Sequence, residues 1–258
     1  MTRALISGAS SGLGEAFTLA LVKEGMDCVI FARRIELLEQ LQMKCHAIRA
    51  NSVMILQLDA RDTNALNILE TFIQSNALTF DLVINNAGFG YIGAFKDMQE
   101  NTIDDMIEVN VNFLTRMTYR LLPYMNPQGT FLHVSSLAGS MSGPYMNVYY
   151  ATKNYVSAFS LACDIEFKPL GLRSLAFIPG PVHTQFGQVA KAGSLPIFNH
   201  VKSQDVNSAI QTALKGLKKK QRFIVSHPAH RMLLFCVKHL PLGWVANIVS
   251  HLQQKRTQ

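Results

Sequence analysis

The stretch Ser7-Gly8-Ala9-Ser10-Ser11-Gly12-Leu13-Gly14 decides the fold of this chain. It follows an apolar run at residues 3–7 that is typical of a short buried strand, and helical apolar spacing starts at Leu13. Glycines in such a turn let a ligand approach the backbone, and the helix N-terminus offers free N–H groups and partial positive charge to a pyrophosphate. The spacing is GxxxGxG rather than GxGxxG, so a purely steric role in a tight strand-to-helix turn stays open.

Strand-like and helix-like segments alternate along the rest of the chain. Six further strands are predicted, at residues 28–32, 53–58, 81–84, 129–134, 172–178 and 222–225. Helices are predicted from residue 13 to a C-cap at Gly25, and over 37–48, 63–75, 102–125, 148–167 and 206–217. This alternation predicts an α/β, Rossmann-like doubly wound parallel sheet of about seven strands, with helices on both faces, in a single domain.

Length and composition are those of a globular protein. The chain has 258 residues, of which 48% are apolar and 16% charged. Its four cysteines have no CxxC or metal-ligand spacing, so we expect reduced thiols and no metal site. The first strand starts too early to leave room for a signal peptide, and no apolar run approaches the ~18 residues that span a bilayer. These features predict a cytoplasmic protein.

Positive charge is concentrated at the C-terminal end. The net charge is +7, yet no acidic residue follows Asp205 while nine Lys and Arg do. Two short helices broken at Pro241 are expected in residues 226–258, which we treat as a basic, apolar extension packed on or beside the domain 1–225. Its apolar residues could make peripheral contact with an anionic membrane, cover a substrate pocket or pack between subunits.

A candidate acid/base pair lies in the helix predicted at 148–167. Tyr149 and Lys153 are one helical turn apart, and an ammonium on the same face favours the phenolate form of a tyrosine. Tyr150 lacks such a partner, because its i+4 neighbour is Asn154. The hydroxyls of Ser135-Ser136, about a dozen residues upstream, are candidates to hold a substrate oxygen.

The end of the second strand selects the nucleotide. An NAD site generally has an acidic side chain there, which bonds the ribose 2′-hydroxyl. Here the sequence is Phe31-Ala32-Arg33-Arg34, with alanine in place of the acid. Arginine binds a 2′-phosphate through charge-assisted hydrogen bonds. The cofactor is therefore predicted to be NADP(H), although both arginines could also be ordinary solvated charges at a helix entry.

The chain resembles the short-chain dehydrogenase/reductase family across nearly its whole length. Motifs of that family stand in the expected order and spacing. They are the turn at 7–14, Asp59 after the third strand, Asn85-Asn86-Ala87-Gly88, Asn110 in the long helix, Ser136, Tyr149, Lys153, and Pro179-Gly180 with Thr184. The turn departs slightly from the family pattern, since Ser7 stands where threonine is commoner, but the hydroxyl is kept.

The resemblance implies how NADP(H) is bound. Asp59 and Ala60 would lie against the adenine, and Asn86-Ala87-Gly88 would form the floor under the ribose. Val182 and Thr184 would hold the nicotinamide carboxamide. The predicted cofactor-binding residues are Ser7, Gly8, Ser10, Ser11, Gly12, Leu13, Gly14, Arg33, Arg34, Asp59, Ala60, Asn86, Ala87, Gly88, Tyr149, Lys153, Pro179, Gly180, Val182 and Thr184.

The resemblance also implies catalytic roles in hydride transfer between the nicotinamide and a carbonyl or alcohol group. Tyr149 would be the acid/base, with Lys153 lowering its pKa and bonding the nicotinamide ribose. Asn110 would hold a water that connects Lys153 to solvent. Ser136 would bond the carbonyl oxygen of the substrate, and it is chosen over Ser135 because its thirteen-residue distance from Tyr149 matches the family pattern.

Apolar residues near these motifs suggest a small lipophilic carbonyl or alcohol substrate. They are Phe89, Tyr91, Met141, Met146 and, in a predicted lid at 185–200, Phe186 and Leu195.

An alternative is an NADP(H)-binding sensor or scaffold of the same fold, which the activated phenol argues against. The run Lys218-Lys219-Lys220 lacks interleaved aromatics, so no nucleic-acid partner is expected. The resemblance implies a homodimer or homotetramer paired through the two long central helices.

Overall fold

The computed structural model describes residues 2–182 and 204–254, with the side chain of Gln254 excepted. The predicted lid at 185–200, with Phe186 and Leu195, lies outside the described residues, as does Thr184. Val182 forms a β-bridge with Gln204, so the two ends that flank this segment lie side by side.

Seven parallel strands form one sheet within the described residues, in the order β3-β2-β1-β4-β5-β6-β7. This confirms the predicted α/β, Rossmann-like fold. The strands are β1 Arg3–Ser7, β2 Asp27–Ala32, β3 Val53–Gln57, β4 Phe80–Asn85, β5 Met125–Val134, β6 Arg173–Ile178 and β7 Phe223–Val225. The order reverses between β1 and β4, and ligands of open α/β sheets bind at such a point, beyond the carboxyl ends of the strands.

Helices cover both faces of the sheet. They are α1 Gly12–Lys23, α2 Ile35–Ile48, α3 Ala65–Ser75, α4 Glu100–Ile107, α5 Leu114–Leu121, α6 Asn147–Phe167, α7 Val206–Lys218, α8 Pro228–His239 and α9 Leu242–Gln254. Successive strand side chains point to opposite faces. Ile6 therefore packs in a core with residues of α1, α2 and α7, whereas Leu5 packs in a second core with residues of α3, α5 and α6.

The first helix ends as its glycine predicts. Gly25 has a φ of +88°, and its N–H donates to the carbonyl of Val22, while Met26 donates to that of Leu21. These two bonds form a Schellman motif, in which glycine takes the left-handed conformation at low cost. Most other element boundaries lie within two residues of the predicted ones.

The predicted helix at 102–125 is wrong in two respects. First, a π-helical turn, Glu108–Phe113, separates α4 from α5. Second, α5 is followed by a 3-10 turn, Leu122–Tyr124, instead of continuing as an α-helix. Pro123 explains the end, since its ring removes an N–H and clashes with the preceding turn. Met125 therefore begins β5, four residues before the predicted start at 129, and the pairing with β4 shifts register between Phe80 and Leu82.

The C-terminal extension forms the two helices predicted around Pro241, α8 and α9. Val237 of α8 and Val245 and Val249 of α9 are buried in a third apolar cluster, which also contains Tyr149. The extension therefore packs beside the predicted catalytic tyrosine. In the part of the chain that the structure describes, no helix is long and apolar enough to cross a membrane.

Candidate active site

The glycine turn joins the carboxyl ends of β1 and β4. The Ser7 hydroxyl accepts hydrogen bonds from the backbone N–H groups of Asn86 and Ala87, both at 2.9 Å. In return, the Asn86 side chain donates to the carbonyls of Ser7 at 3.0 Å and Gly8 at 3.1 Å. Serine thus serves here although threonine is commoner in the family, because only the hydroxyl takes part.

Two glycines of the turn have no room for a side chain. Gly8 has a φ of +65°, and a Cβ there would lie 2.8 Å from the Cα of Ala87. A Cβ on Gly14 would lie 2.5 Å from the carbonyl oxygen of Gly8. The hydroxyl of Ser11 bonds Arg34 and does not cap α1, so it leaves the first N–H groups of that helix to another acceptor. This arrangement fits a pyrophosphate.

Gly14→Ala should weaken NADPH binding at least about tenfold, because relieving the overlap must move the turn that is expected to hold the pyrophosphate. Calorimetric titration with NADPH measures this effect. The control is Gly243→Ala, at a position with an ordinary φ and no atom within 4 Å of the added Cβ. Equal NADPH affinity in both variants would contradict a phosphate site at the turn.

Arg34 lies directly over this turn. Its Nη2 donates to the hydroxyls of Ser10 and Ser11, each at 3.1 Å. Arg33 is exposed beside it, and Ala32 is buried at the end of β2 where an acidic residue would favour NAD. The structure therefore brings the guanidinium group of Arg34 to the glycine turn, with Arg33 next to it in sequence and no carboxylate at the end of β2.

Asp59 follows β3 and is held by a residue that the sequence analysis did not identify. Arg61 bonds both carboxylate oxygens of Asp59 through its Nε and Nη2, and its Nη1 reaches Asp105 at 2.9 Å. Burial tends to raise the pKa of Asp59, but the bonds and charge of Arg61, with a smaller effect of Arg33, hold it below the usual range. Asp59 is therefore ionised and fixed. Its predicted contact with adenine, and that of buried Ala60, stay predictions.

Tyr149 and Lys153 lie one turn apart on α6, as predicted, and both are almost fully buried. The Lys153 Nζ donates to the carbonyl of Val134 at 2.8 Å and lies 5.9 Å from the centre of the Tyr149 ring. This lysine therefore connects the catalytic helix to the end of β5.

The prediction that Lys153 lowers the pKa of Tyr149 stays a prediction, and the net shift of that pKa in this structure is upward. Burial raises the pKa of Tyr149 to about 12, a hydrogen bond with Ser136 opposes that rise, and Tyr150 adds to it. Burial also lowers the pKa of Lys153 to about 8. Desolvation disfavours every charged form, and it is the largest cause of both shifts. Tyr149 therefore keeps its proton at neutral pH.

The two neighbouring serines face different surroundings. Ser136 is half-buried and bonds Tyr149, and its hydroxyl also accepts from the backbone N–H of Ala138 at 3.2 Å. The Ser135 hydroxyl is buried and bonds the carbonyl of Lys153 at 2.9 Å and Ser157 at 2.7 Å. Ser136 is thus the serine next to the tyrosine, and Ser135 fastens β5 to α6.

Asn110 lies in the π-helical turn and is fully buried. Its side chain accepts from the N–H of Phe89 at 3.1 Å and donates to the carbonyl of Phe89 at 2.9 Å and to Thr152 at 3.0 Å. Both amide N–H groups are used, so a water bound by this residue would contact its main-chain carbonyl or its Oδ1. The predicted proton path through such a water stays a prediction. π-Turns of this kind are frequent at functional sites.

The predicted nicotinamide end of the site lies beyond β6. Pro179 accepts from the N–H of Leu137 at 3.2 Å, and Gly180 donates to the Ser226 hydroxyl at 3.0 Å. The ring of His230, from α8, packs so closely on Gly180 that a Cβ would overlap it. His230 is therefore a buried histidine of the core. No local pattern in the sequence indicates this contact, because it joins residues fifty positions apart.

Apolar side chains surround Tyr149. Of the residues predicted to line a cleft, Met141 and Met146 are buried in the cluster that contains Tyr149, and Phe89 and Tyr91 pack against it. The valines of α8 and α9 belong to the same cluster, so these two helices pack beside Tyr149. Across residues 2–182 and 204–254, no three His, Cys, Asp or Glu side chains come together as metal ligands would.

Comparison with known proteins gives the family. A family model described as short chain dehydrogenase matches residues 2–194. The NADP-dependent 3-hydroxy acid dehydrogenase of Schizosaccharomyces pombe is 33% identical over 192 residues, covering 72% of this chain and 73% of that protein. The human very-long-chain 3-oxoacyl-CoA reductase is 25% identical over 258 residues, covering 97% and 79%. A short-chain dehydrogenase from Sphingobium yanoikuyae, solved in complex with NADPH, has a TM-score of 0.81 at 24% identity, covering 99% and 94%.

The chain belongs to the short-chain dehydrogenase/reductase family, which confirms the resemblance. It is an oxidoreductase that uses a nicotinamide cofactor, NAD(P)(H), and acts on carbonyl or alcohol groups.

Proposed function

We propose that this protein is an NADP(H)-dependent reductase of lipophilic ketones or aldehydes. The observation that carries the proposal is the arrangement around Tyr149, which is buried, bonded to Ser136 and one helical turn from Lys153. A phenol that holds its proton at neutral pH is ready to act as a general acid. Carbonyl reduction uses such an acid, and the reverse oxidation of the alcohol uses the same residue as a base.

The charge that develops during reduction explains the roles of the two hydroxyls. A bound reduced nicotinamide would supply the hydride. As the carbonyl carbon accepts it, negative charge grows on the carbonyl oxygen, and the Ser136 and Tyr149 hydroxyls are donors that would stabilise it. Tyr149 then gives its proton to that oxygen. Such donors stabilise the transition state more than the ground state, which is how they accelerate the reaction.

The preference for NADP(H) is proposed from Arg33 and Arg34, the two arginines that follow β2. Arg34 bonds Ser10 and Ser11, and Arg33 adds a second positive charge. A ribose 2′-phosphate would be attracted to both, and no carboxylate stands at the end of β2 to repel it. The relative from S. pombe, which is 33% identical, is an NADP-dependent dehydrogenase, and this supports the same choice.

A lipophilic substrate is proposed from the apolar surroundings of Tyr149. The methionines, Phe89 and the valines of α8 and α9 pack together around Tyr149. Pockets of this composition bind apolar ligands and orient them through a few polar contacts.

We also propose a cytoplasmic location, supported by four free cysteines, three of them buried.

Subunit pairing through the central helices is proposed as well. Large apolar side chains are exposed on them, namely Ile107 of α4, Tyr119 of α5, and Tyr155 and Ile165 of α6. Such residues are typical of a surface that another subunit covers.

Turnover and binding, measured separately, test the proposed function. Oxidation of NADPH and of NADH is followed with a panel of lipophilic ketones and aldehydes, and both cofactors are titrated without a carbonyl. We expect NADPH to bind at least about tenfold more tightly than NADH and to be oxidised. Tight NADPH binding without oxidation across the panel would favour the alternative of a sensor or scaffold.

A further inference from the structure

Exposed apolar side chains are concentrated in the C-terminal helices. Seven of the seventeen large apolar residues exposed in the described part of the chain lie between positions 232 and 248. They are Met232, Leu233, Phe235, Leu240, Leu242, Trp244 and Ile248. Single exposed apolar residues are normal on protein surfaces, whereas a concentration of them marks an interaction site.

Helix α8 is apolar on two opposite faces. Its inward residues His230, Leu234 and Val237 follow helical spacing and pack on the domain. The opposite face, at i, i+3, i+4 and i+7, is exposed and consists of Met232, Phe235, Cys236 and His239. An ordinary surface helix has polar residues on its exposed face. Packing within the chain therefore does not explain the apolar residues on the exposed face of α8.

Helix α9 shows a similar arrangement. Val245, Val249 and Gln253 are buried, and Gln253 bonds the hydroxyl of Tyr150 at 3.4 Å. Trp244 and Ile248, one turn apart, are exposed. We call Met232, Phe235, Trp244 and Ile248 the outer face of the extension.

Charge decides between the possible occupants of the outer face. Arg231 and Lys238 are exposed on α8, and the sequence has no acidic residue after Asp205. A two-fold contact with a second copy would place this face against itself and bring like charges together. An anionic lipid surface instead attracts each cation and accepts the apolar side chains between them.

We propose that the outer face docks on an anionic lipid bilayer, with α8 and α9 lying in the membrane interface. Neither helix crosses the bilayer, in agreement with the absence of a spanning helix among the described residues. Tryptophan favours the headgroup region, which suits exposed Trp244. The inward valines of the same two helices pack in the cluster that contains Tyr149. Docking therefore places the helices beside the proposed active site next to the bilayer. The docking itself does not depend on the proposed enzymatic function.

The chain offers a direct probe, because Trp244 is its only tryptophan. The full-length protein is mixed with phosphatidylcholine vesicles, or with vesicles containing about one third phosphatidylserine. With the anionic vesicles we expect a blue shift of the Trp244 emission and sedimentation of the protein with the vesicles. Binding should weaken with salt, since the charges at this interface are screened. An unchanged emission together with no sedimentation would overturn the proposal.

A matched pair of double variants locates the binding surface. Met232→Ser/Phe235→Ser removes two outer-face side chains that are 64% and 62% exposed, and Met43→Ser/Phe95→Ser removes the same residue types at 64% and 58% exposure elsewhere. The first should lower partitioning at least about tenfold, and the second less than about twofold. Equal loss in both variants would overturn the proposal. A second result would also overturn it: the native protein does not bind vesicles, and light scattering shows a dimer that is dissociated by Met232→Ser/Phe235→Ser but not by Met43→Ser/Phe95→Ser.

Discussion

Tyr149→Phe should lose nearly all carbonyl reduction and keep NADPH binding. The substitution removes one hydroxyl from a ring that is 8% exposed and leaves the packing of the ring intact. It removes both the proton that completes reduction and one of two donors to the developing oxyanion. A positioned general acid accelerates a reaction roughly 10²–10⁴-fold, so kcat should fall by at least about 100-fold. Steady-state rates and calorimetric titration of NADPH measure the two quantities.

The neighbouring tyrosine provides the control. Tyr150 lies on the same helix, is equally buried, and bonds Gln253 of α9 at the long distance of 3.4 Å. Tyr150→Phe should therefore change kcat by less than about tenfold, since its hydroxyl is not the proposed proton donor and a neutral hydrogen bond contributes only about 0.5–1.5 kcal/mol. Similar losses in the two variants would show that the effect is structural, and undiminished reduction by Tyr149→Phe would refute the proposed role of its hydroxyl.

Arg33→Asp and Arg34→Asp should each raise KM for NADPH far more than KM for NADH. A charge-assisted hydrogen bond is worth about 1.5–3 kcal/mol, which corresponds to about 10- to 100-fold in affinity, and the new carboxylate adds repulsion of the 2′-phosphate. NADH lacks that phosphate, so its KM should change little. We expect the larger effect at Arg34, which lies over the glycine turn at 3.1 Å from Ser10 and Ser11.

The control for charge is Arg116→Asp, a reversal at an exposed arginine of α5. It alters the net charge by the same amount, and we expect no change in the ratio of the two KM values. Equal effects of Arg33→Asp and Arg34→Asp on both cofactors would show that the 2′-phosphate is not bound there. In that case the preference for NADP(H) would be wrong, although the family assignment would stand.

Much of the fold and the pairing of the site residues follow from local sequence. The parallel sheet is predicted because each strand is a short apolar run followed by helical spacing, and these patterns are independent of tertiary detail. Tyr149 and Lys153 share a face because i and i+4 always do in an α-helix. Gly25 ends α1 for an equally local reason, its positive φ.

The features that sequence reasoning missed depend on contacts between distant residues. The π-turn around Asn110 is held by Phe89 and Thr152, which lie 21 and 42 positions away. The pKa of Tyr149 was predicted from its neighbour on the helix, yet burial dominates it. Part of the cluster around Tyr149 comes from α8 and α9, about a hundred residues further along the chain. The spacing of residues along one helix does not show how much water is excluded by helices from a distant part of the chain.

Transfer of deuterium from the cofactor tests the central claim most directly. NADPH carrying deuterium at either C4 position is incubated with lipophilic ketones and aldehydes, and the alcohol product is weighed by mass spectrometry. The account predicts that one of the two labelled cofactors gives an alcohol one mass unit heavier with the native protein, and that Tyr149→Phe gives none above background. Label transfer by Tyr149→Phe at the native rate, or bound NADPH that delivers no label to any carbonyl, would contradict it.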